Sequence, residues 1–64
     1  MTITIKRKFD PDRTYISDTV PQVGSEVSFD GDLYEVIRVV HHINFPAKEW
    51  VDVYVRITQP KGTR

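Results

Sequence analysis

The alternation of apolar and polar residues is clearest near the end of the chain. One face of a strand over residues 50–58 would carry Val51, Val53, Val55 and Ile57. The opposite face would carry Trp50, Asp52, Tyr54, Arg56 and Thr58. Successive side chains of a strand point to opposite faces, so this pattern predicts a strand with one buried face and one face of rings and charges.

The N-terminal residues alternate in the same way. Residues 2–9 are expected to form a first strand, because β-branched residues favour the extended backbone. Its inner face would carry Ile3, Ile5 and Phe9. Pro11 cannot donate a ladder hydrogen bond, so the strand should end before it. The mostly polar residues 13–22 are expected to form a loop over one mouth of the fold, anchored by Tyr15, Ile16 and Val20.

The middle of the chain predicts a hairpin. Val27 to Phe29 form a short strand, and Asp30-Gly31 follows at once. This pair readily adopts positive φ, so the short strand should pair antiparallel with a long strand from Leu33 to Ile43. Apolar residues fall on both faces of the long strand. Either both faces are covered, or a bulge near Arg38 changes which side chains point inward.

Length and composition favour one small all-β domain. The chain has 64 residues and no cysteine, so packing must supply the stability of a core near the lower size limit. We expect a small barrel or strongly curled antiparallel sheet of about five short strands over residues 1–58, with a flexible tail at 59–64. No apolar run is long enough to span a membrane, and the protein is expected to be cytoplasmic.

The candidate chemistry favours binding over catalysis. Three glycines leave no material for a phosphate-binding loop, and no nucleophile motif is present, so we expect neither an enzyme nor a cofactor. His41 and His42 are adjacent, but neighbouring strand residues point to opposite faces. A zinc site would need further ligands, and no cysteine or third histidine is available, so no metal site is expected.

The polar face of the last strand is the predicted binding surface. Large rings beside a guanidinium concentrate binding energy when they meet a partner. The predicted binding residues are Trp50, Tyr54 and Arg56, joined by Arg38 and His42 from the neighbouring strand. The alternative is that Trp50 and Tyr54 cover a second small core under a loop that carries Tyr15 or Phe45.

The order Val20-Pro21-x-Val23-Gly24-x-x-Val27-x-Phe29-x-Gly31-x-x-Tyr34-x-Val36, followed by a long strand and an alternating one, resembles small barrels of the Src-homology-3 (SH3) and Tudor type. It is also similar to short proteins encoded by bacteriophages and prophages. The resemblance covers about the second half of the chain and implies five short strands, a binding role and no cofactor. The extra strand at residues 2–9 departs from it, and no site residue is carried over.

Three hypotheses for the function follow. The first is a non-enzymatic protein-interaction module, of the kind that a phage encodes as an adaptor or inhibitor of a host protein. The second is a nucleic-acid-binding barrel that uses Arg38, Arg56 and the basic terminal segments, although nine basic and nine acidic residues give no net attraction to phosphate. The third is a subunit of a homo-oligomer that adds strands at free edges of residues 2–8 or 50–58.

Overall fold

The computed structural model describes residues 1–43 and 49–59, with Gln59 described by its backbone alone. These residues form five strands and no helix, which confirms the predicted all-β class. The strands are β1 (Thr2–Lys6), β2 (Arg13–Ile16), β3 (Glu26–Phe29), β4 (Asp32–His42) and β5 (Trp50–Gln59). In this part of the chain, no helix is long and apolar enough to cross a membrane.

The five strands form one sheet in the order β2-β1-β5-β4-β3. The sheet curls through 231°, so it has the shape of a half-barrel. Three of the pairings are antiparallel, but β1 and β5 run parallel, from Thr2 opposite Trp50 to Lys6 opposite Tyr54. The latest strand in the chain therefore lies at the centre of the sheet.

The core lies on the inner face of the curl. Its buried residues are Ile3, Ile5, Tyr34, Val36, Val51, Val53 and Val55. Val20, Val27, Phe29 and Val39 are partly buried and pack against this cluster. The apolar residues of β1 and β5 point inward as predicted, and on the inner face Ile3 lies opposite Val51 and Ile5 lies opposite Val53. Val20 is the only one of the three predicted loop anchors that reaches the core.

The hairpin between β3 and β4 forms at the predicted turn. Asp30 and Gly31 have φ angles of 56° and 86°, which are the left-handed values that a two-residue type I′ turn requires. Phe29 lies opposite Asp32, and Val27 lies opposite the buried Tyr34. The turn therefore fixes the register that places the Phe29 ring on the Tyr34 ring, with their centroids 4.6 Å apart.

A bulge in β4 resolves the ambiguous alternation of the long strand. The pairing with β5 shifts between Val36 and Arg38, so Ile37 has no partner of its own. Before the bulge Val36 points inward, opposite Val55; after it, Val39 takes the inner position, opposite Val53. This is the second of the two alternatives predicted from the sequence.

Several predicted boundaries are wrong. The first strand ends at Lys6, and Phe9 is 87% exposed because the chain turns away after β1. Residues 13–22 are not wholly a loop, since Arg13–Ile16 pair antiparallel with β1 as strand β2. Gln59 ends β5 rather than beginning a tail, and residues 60–64 lie outside the described part.

The predicted free edges are also wrong. β1 is flanked by β2 and β5, and β5 is flanked by β1 and β4, so neither can add a strand from another subunit. The edges of the sheet are instead β2 and β3.

Candidate functional site

All five predicted binding residues lie on the outer face of the half-barrel. In β5, Trp50, Tyr54 and Arg56 alternate with the buried valines. In β4, the bulge directs Arg38 and His42 to the same side, where Arg38 lies opposite Tyr54 and His42 lies opposite Trp50. We call the side chains of Trp50, Tyr54, Arg56, Arg38 and His42 the outer patch. Its role in binding stays a prediction.

A stacked pair occupies one end of the outer patch. The rings of His42 and Trp50 are nearly parallel, at 10°, with centroids 4.6 Å apart. A hydrogen bond of 2.7 Å joins His42 Nε2 to Oδ2 of Asp52, the buried carboxylate of the outer face. The carboxylate holds the imidazole against the indole, so the Trp50 ring is oriented before any partner arrives.

Two arginines occupy the rest of the outer patch. The Arg38 guanidinium lies over the Tyr54 ring, 5.6 Å from its centroid. Arg56 donates from Nε and Nη2 to Oε1 of Glu35, at 2.8 and 2.6 Å. Arg56 is therefore a neutralised cation, whereas Arg38 has no carboxylate partner among residues 1–43 and 49–59.

The neighbouring cation on the outer face is also paired. Lys6 Nζ donates to Asp12 Oδ2 at 2.9 Å, and this hydrogen bond raises the pKa of Lys6 above its usual 10.5. With Lys6 held by Asp12 and Arg56 by Glu35, two cations of this face already have a carboxylate. The outer face consequently presents aromatic and paired polar groups rather than a basic field.

The proposed second small core does not form around Tyr15. Tyr15 lies opposite Ile3 and lines the inner side of the sheet, away from Trp50 and Tyr54. Phe45, the other candidate for this cover, lies outside the described residues. Trp50 keeps 37% of its surface exposed.

The adjacent histidines point to opposite faces, as the strand geometry requires. His42 contacts Asp52 on the outer face, whereas His41 lies across from Val51 and lines an inner groove with Val39. Within the described residues, no three histidine or acidic side chains come close enough together to hold a metal ion.

Arg7 makes several structural contacts, a role that the sequence analysis did not predict. It follows β1, and only 8% of its side chain is exposed. The guanidinium donates twice to the carbonyl of Pro11, at 3.2 and 2.8 Å, and once to the Tyr34 hydroxyl at 3.3 Å. It also lies 5.0 Å from the centroid of the Phe29 ring and 3.8 Å from Asp30. The hydrogen bond with Tyr34 raises the pKa of Arg7, which keeps the cation charged.

These contacts make Arg7 a structural cation at one end of the half-barrel. It joins the segment after β1 to the β3–β4 hairpin. In the sequence, Arg7 stands between two lysines and is indistinguishable from a surface charge.

Comparison with known proteins finds no match to this chain among protein-family models, curated proteins or solved structures.

Proposed function

We propose that the protein is a non-enzymatic protein-interaction module that binds its partner through the outer patch. The observation that carries this proposal is the convergence of Trp50, Tyr54 and Arg38 on one face, where the Trp50 ring is stacked on His42 and the Arg38 guanidinium lies over the Tyr54 ring. Tryptophan, tyrosine and arginine are the residue types that dominate binding energy at protein interfaces. Side chains held by their neighbours also lose less entropy when a partner binds.

The charges of the outer face favour a protein partner over a nucleic acid. Binding to phosphates depends on cations that displace counterions. Lys6 and Arg56 each contact a carboxylate of this chain, so a phosphate would have to compete for them. Arg38 is the cation of the outer patch that has no carboxylate partner among residues 1–43 and 49–59. With one such cation, the affinity for a nucleic acid would be low and would fall only slightly as the salt concentration rises.

The single tryptophan provides a direct test of the surface. A partner that covers the outer patch should change Trp50 emission on titration, and Tyr54→Ala should weaken its binding by roughly tenfold or more. Phe9→Ala is the matched control, because it removes an aromatic ring that is 87% exposed and lies outside the outer patch. A partner that binds wild type, Tyr54→Ala and Phe9→Ala equally contradicts the proposal.

Salt separates this proposal from nucleic-acid binding. Titration with a mixed oligonucleotide pool at two ionic strengths should give no salt-sensitive complex, whereas a protein interface of rings loses little affinity in salt. An oligonucleotide affinity that falls steeply with salt and is lost in Arg38→Gln would replace the proposal.

The similarity of the chain to short proteins encoded by bacteriophages and prophages supports a more specific role. We propose an adaptor or inhibitor that acts on a host protein. Such a molecule needs one preorganised surface on a minimal fold, which the outer patch provides. Affinity for a purified host protein that is lost in Tyr54→Ala would support this role, and a partner encoded beside the chain in the same genome would contradict it.

A further inference from the structure

The half-barrel is open along one side, where its two edge strands face each other. β2 and β3 end the sheet at opposite sides, and they line a common cavity of about 290 Å³. The floor and walls of the cavity are formed by Ile5, Thr14, Tyr15, Val27, Ser28 and Phe29. We call this cavity and its two flanking strands the seam.

The seam is too wide for its two edges to pair with each other, but two side chains still meet across it. Every Cα of β2 is more than 8 Å from every Cα of β3, so the two edges are too far apart to pair directly. Neighbouring strands lie about 4.8 Å apart, and a gap that holds one strand is therefore about 9.6 Å wide. The width of the gap is also limited, because the side chains of Arg13 and Asp30 meet across it, with Nη1 of Arg13 2.7 Å from Oδ2 of Asp30.

The backbone of β2 directs hydrogen-bonding groups into the seam. Ser17 N donates to Met1 O at 3.0 Å, which makes their pair a hydrogen-bonded one. Hydrogen-bonded and non-hydrogen-bonded pairs alternate along antiparallel strands. Thr14 and Ile16 consequently belong to non-hydrogen-bonded pairs with β1, and their N–H and C=O groups point to the free edge.

The same argument applies to β3. Val36 N donates to Ser25 O at 2.9 Å, so the hydrogen-bonded pairs are those of Ser25, Val27 and Phe29. Glu26 and Ser28 therefore turn their N–H and C=O groups away from β4. Thr14 and Ser28, one from each edge, are both lining residues of the seam.

We propose that the seam binds an extended peptide segment as a sixth strand, which completes the barrel. The backbone of the segment would bond to Thr14 on one side and Ser28 on the other, in the manner of β-strand addition. Its alternate side chains would point inward, onto Ile5, Val27 and Phe29, so apolar residues at every second position are required. The Arg13–Asp30 pair closes one end of the seam.

The occupant is a free peptide rather than a second copy of the folded domain. A strand in the seam uses both of its edges, whereas each of the five strands has at least one edge already paired. The C-terminal residues 60–64, Pro-Lys-Gly-Thr-Arg, lack the alternating apolar side chains that the seam requires. The partner segment must therefore have both of its strand edges unpaired, and the site is independent of the outer patch.

Fluorescent heptapeptides provide the test. Three probes share a Lys-x-Thr-x-Thr-x-Lys pattern in which x is valine, leucine or phenylalanine, and anisotropy measures their binding to the full chain. In the expected result at least one probe binds below about 1 mM. Ser28→Pro, which removes the outward N–H, weakens binding roughly 3- to 10-fold, because one net hydrogen bond is lost. Ser28→Ala is the matched control and keeps the affinity within about twofold, because it keeps the N–H.

Amide hydrogen exchange of the wild-type protein tests the same geometry without any variant. The peptide should slow exchange at Thr14 and Ser28 and leave the already bonded Tyr15 and Val27 unchanged. Three results would each overturn the proposal: no binding by any of the three probes, slow exchange at Thr14 and Ser28 in the free monomer, or a concentration-dependent dimer that protects these amides without peptide. Tyr54→Ala should not change peptide affinity, so failure here and failure of the outer patch are distinguishable.

Discussion

Replacement of Arg7 should destabilise the fold far more than replacement of an ordinary surface arginine. Arg7→Ala removes the two bonds to Pro11, the bond to Tyr34 and the contact with the Phe29 ring. These contacts join the segment after β1 to the β3–β4 hairpin, beside the more exposed ion pair of Arg13 with Asp30.

The expected loss is about 2–4 kcal/mol. A hydrogen bond from a charged donor contributes about 1.5–3 kcal/mol, and part of this is discounted because the Pro11 side of the contact is exposed. A chain of this size has a free energy of unfolding of roughly 3–10 kcal/mol, so the loss is a large fraction of the whole. Arg7→Lys keeps the charge but loses the two-pronged donation, and should cost about 1–2 kcal/mol.

Urea denaturation followed by Trp50 fluorescence and far-ultraviolet circular dichroism measures this loss. Arg7→Ala should lower the thermal midpoint by about 10–25 °C, since 1 kcal/mol corresponds to roughly 4–8 °C in a small domain. Arg13→Ala is the matched control, because Arg13 pairs with Asp30 but is exposed, and such pairs contribute less than about 1 kcal/mol. Equal losses in Arg7→Ala and Arg13→Ala would refute the reasoning.

Three further results are expected. Ile3→Ala should cost about 2–5 kcal/mol because Ile3 is fully buried, whereas Ile16→Ala should cost less than about 0.5 kcal/mol because Ile16 is 81% exposed; similar urea midpoints would contradict this assignment. The pKa of Lys6 is raised in the folded state, so its ion pair stabilises the fold fully below pH 10.5 and is lost as the pH rises through the pKa of the folded state. The difference in unfolding free energy between wild type and Lys6→Gln should therefore be constant from neutral pH upward and shrink only in strong alkali. His42→Ala should shift Trp50 emission to longer wavelength and also lower the urea midpoint, because it leaves the buried Asp52 carboxylate without its hydrogen bond from His42; an unchanged spectrum would show that the stacked histidine does not shield the indole.

Local sequence patterns predicted the strands and the turn of this fold better than they predicted which strands pair. The alternation in β5 and the Asp30-Gly31 turn each act within a few residues, so the sequence indicates them directly. β2 was missed because Arg13–Ile16 are all exposed, and a strand without a buried face leaves no alternation of apolar residues. The parallel pairing of β1 with β5 has no local signal, since either orientation buries the same isoleucines and valines.

The outer patch was predictable in outline for the same reason. Alternation placed Trp50, Tyr54 and Arg56 on one face, and the bulge at Ile37 added Arg38 and His42 to it. The ion pairs that neutralise this face were not predictable, because Glu35 and Arg56 meet only through the pairing of β4 with β5, and Lys6 and Asp12 only through the turn after β1.

The central position of β5 has a consequence for how the chain acquires its structure. The hairpins β1–β2 and β3–β4 are local in sequence, but no backbone ladder joins them until β5 is inserted between β1 and β4. An isolated two-stranded hairpin is marginal in water. A nascent chain that has not yet exposed residues 50–59 can therefore hold at most two unstable hairpins, and its folding is delayed until that segment has left the ribosome.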